Sequence, residues 1–164
     1  MSRGDLERQI QAAATAAAAI PGVVGVTLGG SYAFGMADEW SDIDLHVYWD
    51  ESLADDSQRT AILASVADPG SIRAGVRDWG LEDHFAIDGR PVEYVYVRLN
   101  DMIAATDYAF SEGMGDEGFA TAQLTYVIES RLFYDAGGAL AALRARLASY
   151  PEATRRRLLA SLPQ

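Results

Sequence analysis

The stretch from Val23 to Trp49 constrains this chain more than any other. Val23 to Leu28 is a short, largely β-branched run that stops at Gly29-Gly30-Ser31. After ten intervening residues, Asp42-Ile43-Asp44-Leu45-His46-Val47-Tyr48-Trp49 alternates along its length. A period of two predicts a strand with one polar face, so Asp42, Asp44 and His46 should share a side. Residues at i and i+2 of a strand have Cα atoms about 6.5 to 7 Å apart, close enough for both aspartates to reach one or two divalent ions. Paired glycines permit backbone conformations and close approaches that other residues forbid. At a strand end, their N–H groups and the Ser31 hydroxyl can cradle phosphate oxygens. Singly, an Asp-x-Asp strand is commonly a solvated face and a glycine pair a tight turn. It is their order and spacing that point to a phosphate site beside a metal site. Hard carboxylate donors suit Mg²⁺, which keeps waters and shares its shell with substrate phosphates.

The rest of the chain supplies a scaffold of mixed class. Leu6, Ile10 and later apolar positions at helical spacing predict a helix over 5–19, ended by Pro21 and Gly22. A second helix is predicted over 55–66, closed by Asp68-Pro69-Gly70, with a connecting segment after it. His84–Ile87 and Pro91–Val97 flank Asp88-Gly89-Arg90, a hairpin signal because Asp-Gly favours turns with positive φ. Glu93 therefore falls on a strand. Helices follow at about 100–109, 117–130, 138–149 and 151–162, interrupted by the short segment Leu132-Phe133-Tyr134. The expected fold is α+β, a small, mixed, twisted sheet packed by helices, with 1–135 as its core and 136–164 as a helical appendage of the same domain.

Composition narrows the partners. The 164 residues suit one domain with a real core, and 49% hydrophobic with 23% charged residues is an ordinary globular balance. A formal charge of −11 argues against a broad basic surface gripping a nucleic-acid backbone. With no cysteine, neither disulfides nor thiolate metal sites are available. The apolar run Ala12 to Ile20 is short, Ala-rich and preceded by Asp5, Glu7 and Arg8, so it reads as a helix rather than a leader or a membrane span. A cytoplasmic location is the expectation.

Leu28-Gly29-Gly30-Ser31, ten residues, then Asp42-Ile43-Asp44-Leu45 resembles the signature of the DNA polymerase β-like nucleotidyltransferase superfamily. Leu132-Phe133-Tyr134-Asp135, followed by Gly137, Gly138, Leu140 and Leu143, is similar to the tail of small bacterial members. These include antibiotic nucleotidyltransferases and minimal nucleotidyltransferases paired with helical toxins. The resemblance implies a third carboxylate from a later strand, which Glu93 in Pro91-Val92-Glu93-Tyr94-Val95 matches in context. It implies two Mg²⁺ ions on Asp42, Asp44 and Glu93, and a triphosphate held by Gly29, Gly30 and Ser31. It further implies transfer of a nucleoside monophosphate, AMP from ATP, to a hydroxyl on a small molecule or a protein. The alternative it carries is an antitoxin-type protein that acts by binding or modifying a helical partner. Only short helices follow Asp135, so the resemblance also implies that half of the acceptor pocket comes from a second copy, from a partner or from residues beyond Gln164.

Other residues read as structural. His46 shares the aspartates' face one strand repeat further on, and His84 precedes a hairpin; neither pattern makes a metal ligand. Tyr94, Tyr96, Tyr108, Phe110, Tyr126, Phe133 and Tyr134 default to packing. Arg155, Arg156 and Arg157 read as a solvated run that opposes a helix dipole.

Overall fold

The structure is a computed structural model that describes residues 3–76, 80–111, 118–148 and 152–161. Its backbone follows from the sequence signals in order. Helix α1 (Arg3–Ala18) buries Ile10, Ala13, Ala14 and Ala17, one helical stripe of mostly small side chains that lets it lie close on the sheet. At the break after it, Gly22 adopts φ +90°, and a Cβ there would sit 1.7 Å from the Ser52 carbonyl oxygen. Strand β1 (Val23–Leu28) leads into the four-residue helix α2 (Gly30–Ala33), and β2 (Ile43–Trp49) follows. Helix α3 (Asp56–Leu63) starts with a capping box in which Asp55 and Gln58 exchange side-chain and backbone bonds.

The segment after α3 forms a short strand, β3 (Arg73–Val76), followed by the hairpin β4 (Leu81–Ile87) and β5 (Arg90–Arg98). Asp88 and Gly89 take φ of +50° and +77°, the paired positive values the Asp-Gly signal calls for. Helices α4 (Leu99–Ser111) and α5 (Gly118–Glu129) precede β6 (Arg131–Asp135), with a single 3₁₀ turn between it and α6 (Ala139–Leu147); α7 (Glu152–Ser161) comes last. The segment Leu132-Phe133-Tyr134 is thus a strand. The predicted helix ends at Glu117, Ser149, Pro151 and Leu162 lie outside the described residues.

Six strands form one mixed sheet in the order β3-β4-β5-β2-β1-β6. All neighbours are antiparallel except β2 and β5, which run parallel with Asp44 opposite Glu93. This is the mixed α+β sheet packed by helices that the patterns predict. One face buries Ile43, Leu45, Val47, Val92 and Tyr94 together with α1 and Leu63 of α3. Towards the other end, Tyr48 packs with Leu99 and Met102 of α4, Leu124 and Val127 of α5, and Leu140, Leu143 and Leu147 of α6. Helix α6 is tied down at both ends. Asp135 accepts from the Leu140 and Ala141 N–H groups, and Arg144 donates to the Val127 carbonyl at 2.8 Å and to Ser130.

A buried ion pair joins α3 to the hairpin. Arg59 donates to both Asp83 oxygens at 2.8 and 3.0 Å, and the Tyr96 hydroxyl and Gly75 N–H donate to the same carboxylate. Burial alone would push Asp83 up, but these donors hold it below its usual carboxylate value. Among the described residues, no helix is long and apolar enough to cross a membrane.

Candidate active site

Asp42, Asp44 and His46 share the sheet face of Tyr48, ahead of the helices packed there, and with Glu93 they are only half-buried. Leu28 at the end of β1 pairs with Leu45 of β2, and the Gly29 N–H donates to the Asp44 carbonyl at 2.9 Å. The chain then turns sharply into α2, whose opening Gly30 and Ser31 N–H groups have no partners within the helix. The turn depends on both glycines. Gly30 sits at φ +57°, and a Cβ there would lie 1.7 Å from Asp44 Oδ2; a Cβ on Gly29 would lie 2.7 Å from His46 Cε1. Backbone thus lies directly against two side chains of the β2 polar face, a contact only glycine allows.

Asp42, Asp44 and Glu93 bring a ligand oxygen each within 4.8 Å of one another. The sequence separation of Glu93 from the aspartates disappears because β5 runs parallel to β2 in register with it. Burial first, then the charges of Asp42 and Glu93, push the Asp44 carboxyl up to about 7. Three carboxylates this close resist ionising together, and a cation is what such a set of hard oxygen donors fits. Asp42, Asp44 and Glu93 therefore suit a divalent ion by donor chemistry and by charge.

Two cavities meet at Glu93. One, of about 220 Å³, opens past Asp42 and is lined by Ser71, Arg73, His84 and Pro91. The other, of about 360 Å³, opens past Gly30 and Asp44 and is lined by His46, Glu82, Val95 and Tyr126. His46 stands in its floor. Burial holds the imidazole down to about 4, so it is neutral at physiological pH, and its buried Nδ1 has no hydrogen-bond partner among the described residues. The ring lies 5.0 Å from that of Tyr126, which in turn lies 6.0 Å from Phe34.

Several site features carry little sequence signal. Glu82, buried on β4, bonds to His84 Nε2 at 3.1 Å, and these two with Glu93 form a second group of potential ligands within 4.8 Å. Alternation over Leu81–Ile87 puts Glu82 and His84 on the face of Glu93, but the hairpin signal marks only His84–Ile87 as a strand. Tyr126 gives no warning, because an aromatic on an apolar helix usually packs. Of the other aromatics, Tyr94 and Tyr96 are core, whereas Tyr108 is exposed. Arg155 and Arg156 pair with Glu152 on the surface, and the Arg157 side chain lies outside the described residues. Arg90 donates to the Tyr32 hydroxyl at 2.7 Å and the Ser41 carbonyl at 2.6 Å, closing the loop between α2 and β2.

The glycine turn thus lies directly against a carboxylate triad gathered from adjacent parts of a mixed sheet. Residues 10–83, a little under half the chain, match the family described as Nucleotidyltransferase domain. The matched stretch runs from α1 into β4, holds the glycine turn, Asp42 and Asp44, and stops short of Glu93. A solved nucleotidyltransferase-like protein from Exiguobacterium sibiricum superposes with a TM-score of 0.48 at 14% identity, over 92% of this chain and 41% of that one. The chain thus spans well under half that protein's length. No curated protein matches the chain in sequence.

Proposed function

We propose that this protein is a Mg²⁺-dependent nucleotidyltransferase that moves AMP from ATP onto a hydroxyl of a small molecule or a protein, releasing pyrophosphate. The observation that carries the reading is the convergence of Asp42, Asp44 and Glu93 within 4.8 Å, beside a glycine with no room for a side chain against Asp44. Asp42 just before β2, Asp44 on β2 and Glu93 on β5 hold the metal. Bound there, divalent ions supply positive charge to the acceptor oxygen and to the departing pyrophosphate. Gly30 and Ser31 bind the β- and γ-phosphate oxygens through N–H groups and the serine hydroxyl. The acceptor oxygen bonds to the α-phosphorus as the bond to the α,β-bridging oxygen breaks, and that electron pair leaves on pyrophosphate. Glu93, between the two cavities, takes the acceptor's proton.

The resemblance supports ATP as donor, and the charge of −11 favours a small or protein acceptor over a nucleic acid. Thermal unfolding with Mg²⁺ and each of ATP, GTP, CTP and UTP tests the reading, with Asp44→Asn alongside. The expected result is a metal-dependent rise in Tm, largest with ATP, that the variant loses. No rise with any nucleotide refutes it.

A further inference from the structure

The carboxylates stand between two cavities, and their surroundings differ in kind. Gly30 and Asp44 line the larger, Asp42 lines the smaller, and Glu93 reaches both. A triphosphate seated at Gly30 and Ser31 brings its α-phosphate to the carboxylates along the Gly30–Asp44 edge, and that edge continues into the larger cavity. Two residues beyond Asp44 and Glu93 stand His46 and Val95, about 7 Å further along their strands. A ribose bridges a gap of this kind between α-phosphate and base. At that depth the wall is aromatic. Tyr126, braced by Phe34 at 6.0 Å, stands 5.0 Å from the His46 ring, and His46 is wedged against Gly29.

In-line displacement then decides where the acceptor enters, because it must approach the α-phosphorus opposite the leaving pyrophosphate. Pyrophosphate leaves on the β1–α2 side, so attack comes from the β5–β4 side. Both cavities have lining there, Glu82 and Val95 in the larger and His84 and Arg73 in the smaller, and with the nucleoside filling the larger the smaller one is left open to the acceptor. We propose that the donor nucleoside occupies the larger cavity with its base stacked on Tyr126, and that the acceptor hydroxyl enters through the smaller one. This rests on the nucleotidyl-transfer reading above and assigns the two halves of that reaction to separate cavities.

Calorimetric titration of the full chain with Mg²⁺·ATP and with Mg²⁺·tripolyphosphate tests the assignment, because only ATP carries a nucleoside. The native chain should bind ATP more tightly than tripolyphosphate. Tyr126→Leu, which keeps apolar bulk but removes the ring, should weaken ATP by about tenfold, the loss expected for one base–aromatic stack, and leave tripolyphosphate unchanged. Tyr126→Phe should restore ATP binding. Equal loss of both ligands in Tyr126→Leu would mean that Tyr126 acts only structurally, and no loss of either would put the nucleoside elsewhere; each overturns the proposal while sparing the nucleotide reading. Failure of the native chain to bind either ligand would remove that reading, and the proposal with it.

Discussion

Removing one charge from the carboxylate triad should stabilise this protein without metal and destabilise it, relative to the native chain, with metal and nucleotide. Asp44 is pushed from 3.8 up to about 7 by burial and by Asp42 and Glu93. Its folded value lies above its unfolded one, so the folded state holds the extra proton between these values. Stability from this group is full below about pH 4 and is lost as pH rises through about 7. Read directly, the shift would cost about 4 kcal/mol above pH 7. Asp44 is only partly buried, so solvent screening reduces this to about 2 kcal/mol.

Asp44→Asn removes that cost. At pH 8 without divalent ions the variant should melt about 5 °C above the native chain, and the gap should shrink as pH falls and close only below about pH 4. His46, held down to about 4, loses stability as pH falls through 6.5 in both proteins, so it cancels in the difference. With Mg²⁺·ATP at pH 8 the order should reverse, because only the native site gains ligand stabilisation. Thermal unfolding of both proteins over this pH range in chelator is the assay. An apo variant less stable than the native chain at pH 8 would refute the electrostatic reasoning, because the triad would then contribute to folding without its cation.

Gly30→Ala forces a Cβ onto Asp44 Oδ2 from a left-handed backbone, so it should cost about 2 to 3 kcal/mol and abolish Mg²⁺·ATP stabilisation; retained calorimetric binding would count against the turn as a phosphate seat. Arg59→Met leaves the Asp83 carboxylate buried with, among the described residues, the Tyr96 hydroxyl and Gly75 N–H as its remaining donors. It should cost about 3 to 5 kcal/mol in urea unfolding without reducing the increment from Mg²⁺·ATP, and a loss under about 1 kcal/mol would show the pair to be replaceable. Arg90→Ala releases the Tyr32 hydroxyl and the Ser41 carbonyl, so limited proteolysis should cut the loop between α2 and β2 faster, whereas an unchanged cleavage rate would mean that other contacts hold it.

Local chemistry made much of this architecture legible. The alternation from Asp42 to Trp49 gives β2 and its polar face, and Asp-Gly gives the β4–β5 hairpin with its positive φ values. The bringing together of Glu93 and the aspartates also follows once β5 lies beside β2, though the parallel pairing itself is not written in either strand. What stayed hidden depends on contacts between distant segments. Helix α2 opens with glycine and lasts four residues, so propensity argues against it; it forms where the chain must fold back against Asp44. Strand β3 is held by β4 on one side and contains a glycine, too weak a pattern to see alone. Arg59 and Asp83 look like surface charges until burial pairs them. Tyr126 looks like core until Leu124 and Val127 seat α5 and leave its ring facing the cavity.

The central claim is that the carboxylate site transfers a nucleotidyl group, and the position of the label in transferred ATP tests it most directly. ATP labelled at the α- or the γ-phosphate is incubated with Mg²⁺, the protein, and an extract of metabolites and proteins, with Asp44→Asn run beside it. The account predicts that α label enters a new species, that γ label appears only in pyrophosphate, and that the variant does neither. Transfer of the γ label to an acceptor, or transfer of the α label by the Asp44→Asn protein, would contradict it.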